Sequence, residues 1–421
     1  MSLIELTAKE FSEIIQSASE KSFIQSVEMA DLLKKRGSNT HFLAYRTDDQ
    51  YKVVALVFSK AMTGGLYLEL NSGPVCLDEA YLQDFYRALK DYAHSHGVLE
   101  LVVKPYQTYQ TFDTNGEATS PEKETLISNL TDLGYVHDGL QTGYPGGEPN
   151  WHYVKDLTGL TQQNLMQSFS KKGRPMVKKA QTFGIKLRRL ERHELHLFKE
   201  ITSSTSERRE YSDKSLDYYE QFYDSFGHDA EFMVASLNFH DYHKLLSNQY
   251  HQCQRSIEEV IGLYGEEPNS VKPKKQLKEL NNQLKSLEIR RNEAEDFVSK
   301  YGQQDVILAG SLFIYTPQEA VYLFSGSYTE FNKFYAPALL QEYVMQEAIK
   351  RGISFYNFLG ITGLFDGSDG VLRFKQNFNG YIVRKTGTFR YYPNPNKYKN
   401  FKVAKKIRSL LKECLSPVQK S

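Results

Sequence analysis

Cysteine is scarce and long apolar runs are missing. The three cysteines, Cys76, Cys253 and Cys414, lie far apart in 421 residues, and no C-x-x-C or His/Cys pair has zinc spacing. Neither a disulfide framework nor a metal site is expected, and such usage suits a reducing cytoplasm. The longest apolar stretches, such as Val53 to Phe58, are strand-sized and far too short to cross a bilayer as a helix. The amino terminus has no basic segment leading into an apolar run, which argues against a secretory signal; it reads as a first strand. An excess of either charge is missing too. Lys and Arg total 52 against 51 Asp and Glu, a formal net charge of +1, so no global field draws the chain to nucleic acid or membrane. Any anionic partner must be met by local patches. A G-x-S-x-G elbow is absent, as is a cysteine set among histidine and carboxamide partners, which argues against a covalent enzyme intermediate.

What is present is an α/β pattern in a chain long enough for two domains. Short apolar segments at His41 to Tyr45, Tyr51 to Phe58 and Gly65 to Leu70 predict a hairpin-rich sheet. A helix over Glu79 to His94 leads to the strand Leu99 to Val103. The turn-forming stretch Gly143 to Pro149 lacks phosphate-loop spacing and reads as a link. A second α/β unit follows, with a strand at Trp151 to Leu157, one helix over Thr161 to Thr182 and a strand at Ile185 to Leu190. It resumes with strands at Asp305 to Tyr315 and Ala320 to Ser325, the helix Ala336 to Arg351 and the strand Phe355 to Leu359.

Between these parts lies a different pattern. Leu277, Leu280, Leu284, Leu287, Ala294 and Val298 fall three and four apart, with Arg291 in the seam. Tyr242, Leu246, Cys253, Ile257, Val260 and Tyr264 give a poorer matching stripe, with Gln249 in register. With Gly265 to Pro273 as the turn, this predicts an antiparallel coiled-coil arm over 239–301. Its charges nearly balance, so only Lys272, Lys274, Lys275 and Lys278 near the tip form a local basic patch that could meet a phosphate backbone.

Three polar groups are candidates for chemistry. The run Ser170 to Lys179 concentrates cations at a helix, either as a phosphate-binding face or as an ordinary solvated one. Arg208 and Arg209, in a loop after the helix His193 to Thr202, could grip a diphosphate or pair with Glu207 and Glu210. Lys375, flanked by Phe374 and Phe378, could stabilise an oxyanion, although snorkelling from a sheet edge to water is the favoured reading. Among the histidines, His152 and His228 are weaker candidates. Asp366 and Asp369 could act as a base, but turn formation explains them as well.

The order of motifs is similar to that of the FemABX peptidyltransferases. It runs Phe23-Ile-Gln-Ser26, Asn71-Ser-Gly-Pro-Val75, Ser206-Glu-Arg208, Gly326-Ser-Tyr328, Tyr335-Ala-Pro337, Tyr356-Asn-Phe-Leu-Gly360 and Phe374-Lys375. The resemblance implies an α/β (α+β) chain of two GNAT-like domains with the helical arm inserted in the second. Their expected bounds are 1–150, completed by 385–421, and 151–384. It implies transfer of an amino acid, with alanine, serine and glycine all open, from aminoacyl-tRNA to the stem-peptide amine of lipid II or UDP-MurNAc-pentapeptide. That reaction builds the interpeptide bridge and needs no cofactor. No acetyl-CoA loop of the R/Q-x-x-G-x-G/A kind is present, in keeping with such a donor.

By the same resemblance Lys375 handles charge at the reacting centre, and Tyr328, Tyr335 and Gly360 fall in substrate-binding motifs. Arg208 and a lysine at the end of the first helix pair grip the precursor's diphosphate. The chain departs there: the usual position holds Leu33, so Lys34 or Lys35 must serve, and the usual tryptophan is Met29. The carboxy-terminal helix sets Phe401, Ala404, Ile407, Leu410 and Leu411 against a basic face. Packing on the first domain is the favoured reading, with weak peripheral contact at the inner membrane face left open. The rival readings are a catalytically silent RNA-binding or assembly protein and an aminoacyl-tRNA–protein transferase.

Overall fold

The computed structural model describes residues 3–415, with side chains as far as Lys406. Its first sheet holds β1 (Ile4–Leu6), β2 (Asn39–Thr47), β3 (Gln50–Met62), β4 (Gly65–Asn71), β5 (Val75–Cys76), β6 (Val98–Lys104), β8 (Val136–His137) and β16 (Phe389–Tyr391). The second holds β7 (Thr108–Phe112), β9 (Trp151–Asp156), β10 (Lys186–Arg189), β11 (Ala230–Asn238), β12 (Asp305–Tyr315), β13 (Ala320–Ser327), β14 (Phe355–Ile361) and β15 (Tyr381–Lys385). The helices are α1 (Ala8–Ile15), α2 (Val27–Lys35), α3 (Leu82–Ser95), α4 (Thr125–Thr131), α5 (Leu165–Ser168), α6 (Gly173–Gln181), α7 (Leu195–Arg209) and α8 (Leu216–Phe226). They continue with α9 (Phe239–Tyr264), α10 (Val271–Tyr301), α11 (Ala336–Lys350), α12 (Gly370–Lys375) and α13 (Pro395–Leu415).

The run Val53 to Val57 is apolar throughout because β3 is covered on both faces. Val53, Ala55 and Val57 point into one core with α3, while Val54 and Leu56 point into another with α1 and α2. That second core also takes Phe198, Phe222, Phe232 and Leu312 from the other half of the chain, so a shared apolar layer joins the two sheets. Each fully buried Phe or Leu there contributes about 1.5–3 kcal/mol.

In each sheet the pairing is antiparallel except at one place. β4 runs parallel to β6 across α3, and β13 runs parallel to β14 across α11. A boundary at 150 does not separate the sheets cleanly, since β7 lies before it in sequence yet pairs with β15 in the second sheet. In the opposite sense β16 returns to pair with β6 and β8, where Arg390 bonds Glu100 at 2.8 Å and Asp138 at 2.9 Å.

Two local expectations need correction. The predicted helix Thr161 to Thr182 is two helices, α5 and α6, because Phe169 turns extended and Ser170 starts a new turn. The turn of the arm is shorter than expected, with Pro273 already inside the first turn of α10, where its missing N–H costs nothing. The helices α9 and α10 lie side by side and bury Leu246, Cys253, Val260, Leu277, Leu287 and Ala294. Gln249 is exposed and the neighbouring Tyr250 takes the seam, with the Arg291 guanidinium 4.5 Å above its ring. In α13, Tyr398 stacks on Tyr392 while Lys402, Val403, Ala404, Lys405 and Lys406 are exposed. The predicted apolar positions Ile407, Leu410 and Leu411 lie outside the described side chains. Among the described residues no helix is long and apolar enough to cross a membrane.

Candidate active site

The parallel strands β13 and β14 pair only at Ala320 with Tyr356 and Val321 with Asn357, then separate. A bulge in β14 opposite β9 follows between Asn357 and Gly360. The Asn357 side-chain oxygen accepts the Leu359 N–H at 2.8 Å and holds Leu359 in the left-handed region, φ +57°. A bulge of this kind re-aims the groups it carries. Here it points two successive carbonyls at one lysine: Lys375 Nζ donates to Leu359 O at 3.0 Å and Gly360 O at 2.6 Å.

Lys375 ends the short helix α12, whose start is fixed by Asp369. That carboxylate accepts the N–H groups of Val371 at 2.8 Å, Leu372 at 3.1 Å and Thr362 at 2.9 Å. Asp366 likewise accepts from Ser368, so both aspartates shape the turn. The snorkelling reading of Lys375 is wrong: the residue is 2 % exposed and its ammonium points inward. Burial pushes its pKa down to about 7, against the opposing attraction of Asp369. The lysine therefore exchanges its proton near neutrality.

A buried polar cluster adjoins it. Glu319, 2 % exposed, accepts from Tyr106 Oη at 2.6 Å, Asn357 Nδ2 at 3.1 Å and Phe23 N at 3.2 Å. Burial raises its pKa. Lys385 bonds Tyr106 O at 2.5 Å with its ammonium 3.8 Å from the Tyr106 ring centre, and burial lowers its pKa to about 8. His152 Nδ1 lies 3.5 Å from Asn357 Nδ2 and its Nε2 3.3 Å from Pro149 O. Burial, then Lys385 and Lys375, lower its pKa to about 3, so the ring is neutral at pH 7. Sequence reasoning gave His152 as a weak candidate and missed Glu319, Tyr106, Asn357 and Lys385. No periodicity marks them, because they come from a loop, a turn and two different strands.

The link 143–149 is also part of the site. Gly143 N donates to Thr362 O at 2.6 Å, and a Cβ on Gly360 would stand 2.7 Å from Pro149 and 2.9 Å from the Tyr144 ring. Glycine at 360 is what lets the link lie on the bulge. Burial raises the Tyr144 pKa to about 12, with Asp369 adding to the rise and Arg209 opposing it. Arg208 and Arg209 are the last turn of α7 rather than a loop. Arg208 donates to Ser327 O at 3.1 Å and Thr329 Oγ1 at 2.8 Å, fastening α7 to the end of β13. Arg209 is exposed, and its charge opposes the rise at Tyr144 and Tyr322.

A sequence model of the FemAB family matches residues 6–406. The chain belongs to the FemAB family. Aminoacyltransferase FemA of Staphylococcus epidermidis is 26% identical over 420 residues, covering 97% of this chain and 100% of that protein. Aminoacyltransferase FemA of Staphylococcus aureus is 26% identical over 417 residues, covering 97% and 99%. The crystal structure of FemX superposes with a TM-score of 0.75 at 20% identity, over 95% of this chain and 99% of that one, so the two share a fold.

Two of the FemAB-like motifs touch each other. Gln25 donates to Leu56 O at 3.1 Å and Asn71 O at 2.7 Å and accepts Leu56 N at 2.7 Å, and a Cβ on Gly73 would stand 2.6 Å from its side chain. Gly326 gives Ile201 of α7 a similarly close approach, 2.6 Å from its carbonyl oxygen. Of the other expected site residues, Gly360 meets Lys375 directly. Tyr335, at φ +54°, opens α11 under the Lys179 ammonium, 5.4 Å from the ring centre, and Tyr328 packs on Phe331. Lys35 bonds Asp31 at 2.7 Å and Ser225 at 3.0 Å, whereas Lys34 is exposed. Lys272, Lys274, Lys275 and Lys278 are exposed near the start of α10, about 35 Å along the helix from its root at Phe297. Among the described residues no group of three His, Cys, Asp or Glu is arranged to hold a metal ion.

Proposed function

We propose that this aminoacyltransferase of the FemAB family moves an amino acid from its tRNA ester to the peptide amine of a peptidoglycan precursor, extending an interpeptide bridge. Lipid II is the proposed acceptor, with UDP-MurNAc-pentapeptide as its soluble counterpart. Alanine, serine and glycine are the proposed residues transferred. The observation that carries this reading is Lys375, buried at the point where β13 and β14 part and held by the Leu359 and Gly360 carbonyls.

The acceptor nitrogen attacks the ester carbonyl and loses a proton, and the carbon–oxygen bond to the terminal ribose then breaks. The ribose oxygen takes up a proton as the tRNA leaves, so the products are an amide and free tRNA. The two backbone bonds occupy two of the three Lys375 ammonium donors, which leaves the third for the oxygen that gains charge in the tetrahedral intermediate. A donor fixed before the reaction need not reorganise during it. Asn357 acts as a positioning residue, since it holds the bulge that sets both carbonyls.

The test is incubation with purified lipid II and, separately, UDP-MurNAc-pentapeptide, each with a set of charged tRNAs, followed by mass measurement. A gain of one amino-acid residue on either precursor is expected. No gain on any precursor with any donor, while the protein still binds RNA, would favour a silent binding module.

A further inference from the structure

Between Asp156 and Glu191 the chain contains no carboxylate, yet it carries eight cations. The structure divides them into two groups. The three on β10 are engaged: Lys186 with Asp305 at 3.7 Å, Arg188 with Glu194 at 2.8 Å, and Arg189 with the carbonyls of Gly227 and Ala230 at 3.1 and 2.9 Å. The five around α6 are Lys171, Lys172, Arg174, Lys178 and Lys179. All are exposed, and none has a carboxylate partner among the described residues. Gly173, Val177 and Ala180 form the buried face of this helix, which leaves the cations on its outer side.

Some exposed lysines elsewhere are neutralised, as Lys300 is by Glu330 at 2.7 Å and Lys333 by Glu293 at 2.8 Å. Five cations at and around one short helix with no carboxylate beside them make a local positive field. Its attachment gives the field a direction. Gly173 abuts Asn377 so closely that a Cβ would stand 1.9 Å from the Asn377 carbonyl oxygen, and Ser170 N donates to that same oxygen at 3.0 Å. Asn379 donates to Ser168 O at 3.2 Å. The start of α6 is thus tied to the segment that follows Lys375 by two residues. At its other end α6 meets Tyr335 through Lys179.

We propose that the outer face of α6, and not the tip of the α9–α10 arm, is the surface that takes the phosphate backbone of the RNA donor near its aminoacylated end. This rests on the aminoacyl-tRNA reading above. A strand whose phosphates lie on Lys171, Lys172 and Lys178 ends beside the Lys375 bulge, whereas the arm tip stands about 35 Å from the arm's own root. The arm tip also carries Glu266, Glu267 and Glu279 among its lysines.

The test measures binding of an acceptor-stem RNA hairpin with a single-stranded 3′ end to the full chain across a range of salt concentrations. K171Q/K172Q/K178Q is compared with wild type and with K272Q/K274Q/K278Q, and thermal melting checks that each is folded. The α6 variant is expected to lose about tenfold or more in affinity and about three from the slope of log affinity against log salt. K171R/K172R/K178R keeps both. Unchanged RNA affinity and slope in the α6 variant would overturn the proposal, as would a loss confined to the arm-tip variant. A loss of binding to anionic phosphatidylglycerol vesicles with RNA binding intact would overturn it too, in favour of a membrane surface. Because binding is read without turnover, failure of the transfer reaction shows separately, as RNA binding without product.

Discussion

Both sheets contain the same local device, a strand, a helix and a second strand parallel to the first, but only one of them opens. β4 and β6 stay paired from Leu66 with Val98 to Asn71 with Lys104, and the end of that pair is sealed by ion pairs of Lys104 with Glu69 and Glu148, each at 2.9 Å. β13 and β14 part after two pairs, and just beyond the last of them, at Asn357, β14 carries the bulge that holds Lys375. A closed pair has its backbone groups spent on one another. An open pair has carbonyls and amides to offer, and a side chain or a substrate must satisfy them. The difference separates a sheet that supports from the sheet on which the proposed reaction is placed.

The strongest way to break this comparison is to remove the charged group from each pair. Lys375→Ala is expected to lower turnover about a hundredfold or more, the usual cost of losing a fixed oxyanion donor. Lys104→Ala is expected to lower the melting temperature while turnover stays within about threefold, because it bonds Glu69 and Glu148 and neither Lys375 nor the carbonyls that hold it. Equal losses of turnover in the two variants would erase the distinction. The next effect is at the bulge. Asn357→Ala removes the acceptor for Leu359 N and a donor to Glu319, and should cost about 1–3 kcal/mol of stability and about tenfold in kcat with little change in KM. Denaturant unfolding and steady-state kinetics read the two parts.

Gly173→Ala sharpens the comparison from outside the gap. Its methyl must displace the Asn377 carbonyl, so about 1–3 kcal/mol of stability is expected to go. A further effect is on pH dependence. The folded Lys375 value, about 7, lies below its ordinary 10.5, so the unfolded chain binds more protons between those limits. The free energy of unfolding therefore gains a rising contribution as pH climbs from about 7 toward 10.5, and Lys375→Met should lessen that rise in chemical denaturation. Turnover that needs the ammonium form should fall as pH rises through about 7, a limb expected to vanish from the residual activity of Lys375→Ala.

Several strands, the arm helices and the turn at 143–149 were legible in the sequence because each rests on local chemistry. Apolar alternation marks β3, spacing of three and four marks α10, and Gly143 to Pro149 marks a turn. Lys375 was legible as a candidate from its aromatic flanks, and motif resemblance gave it weight, but its burial was read the wrong way. Aromatic neighbours suggest an outward stem equally well, and the carbonyls that draw the ammonium inward exist only once β14 bulges. Arg208 and Arg209 are adjacent in sequence, and only the packing of α7 against the end of β13 gives Arg208 its bonds to Ser327 and Thr329. Glu319, Tyr106 and Lys385 come together across more than 200 positions of sequence, which no local pattern can show.

The reacting centre itself is most directly tested by a crystal structure with a hydrolysis-resistant amide analogue of an aminoacylated RNA end. The analogue's carbonyl oxygen is expected within hydrogen-bond distance of Lys375 Nζ, in the gap between β13 and β14. Density for that carbonyl at the closed end of β4 and β6, or anywhere beyond reach of Lys375, would contradict the account.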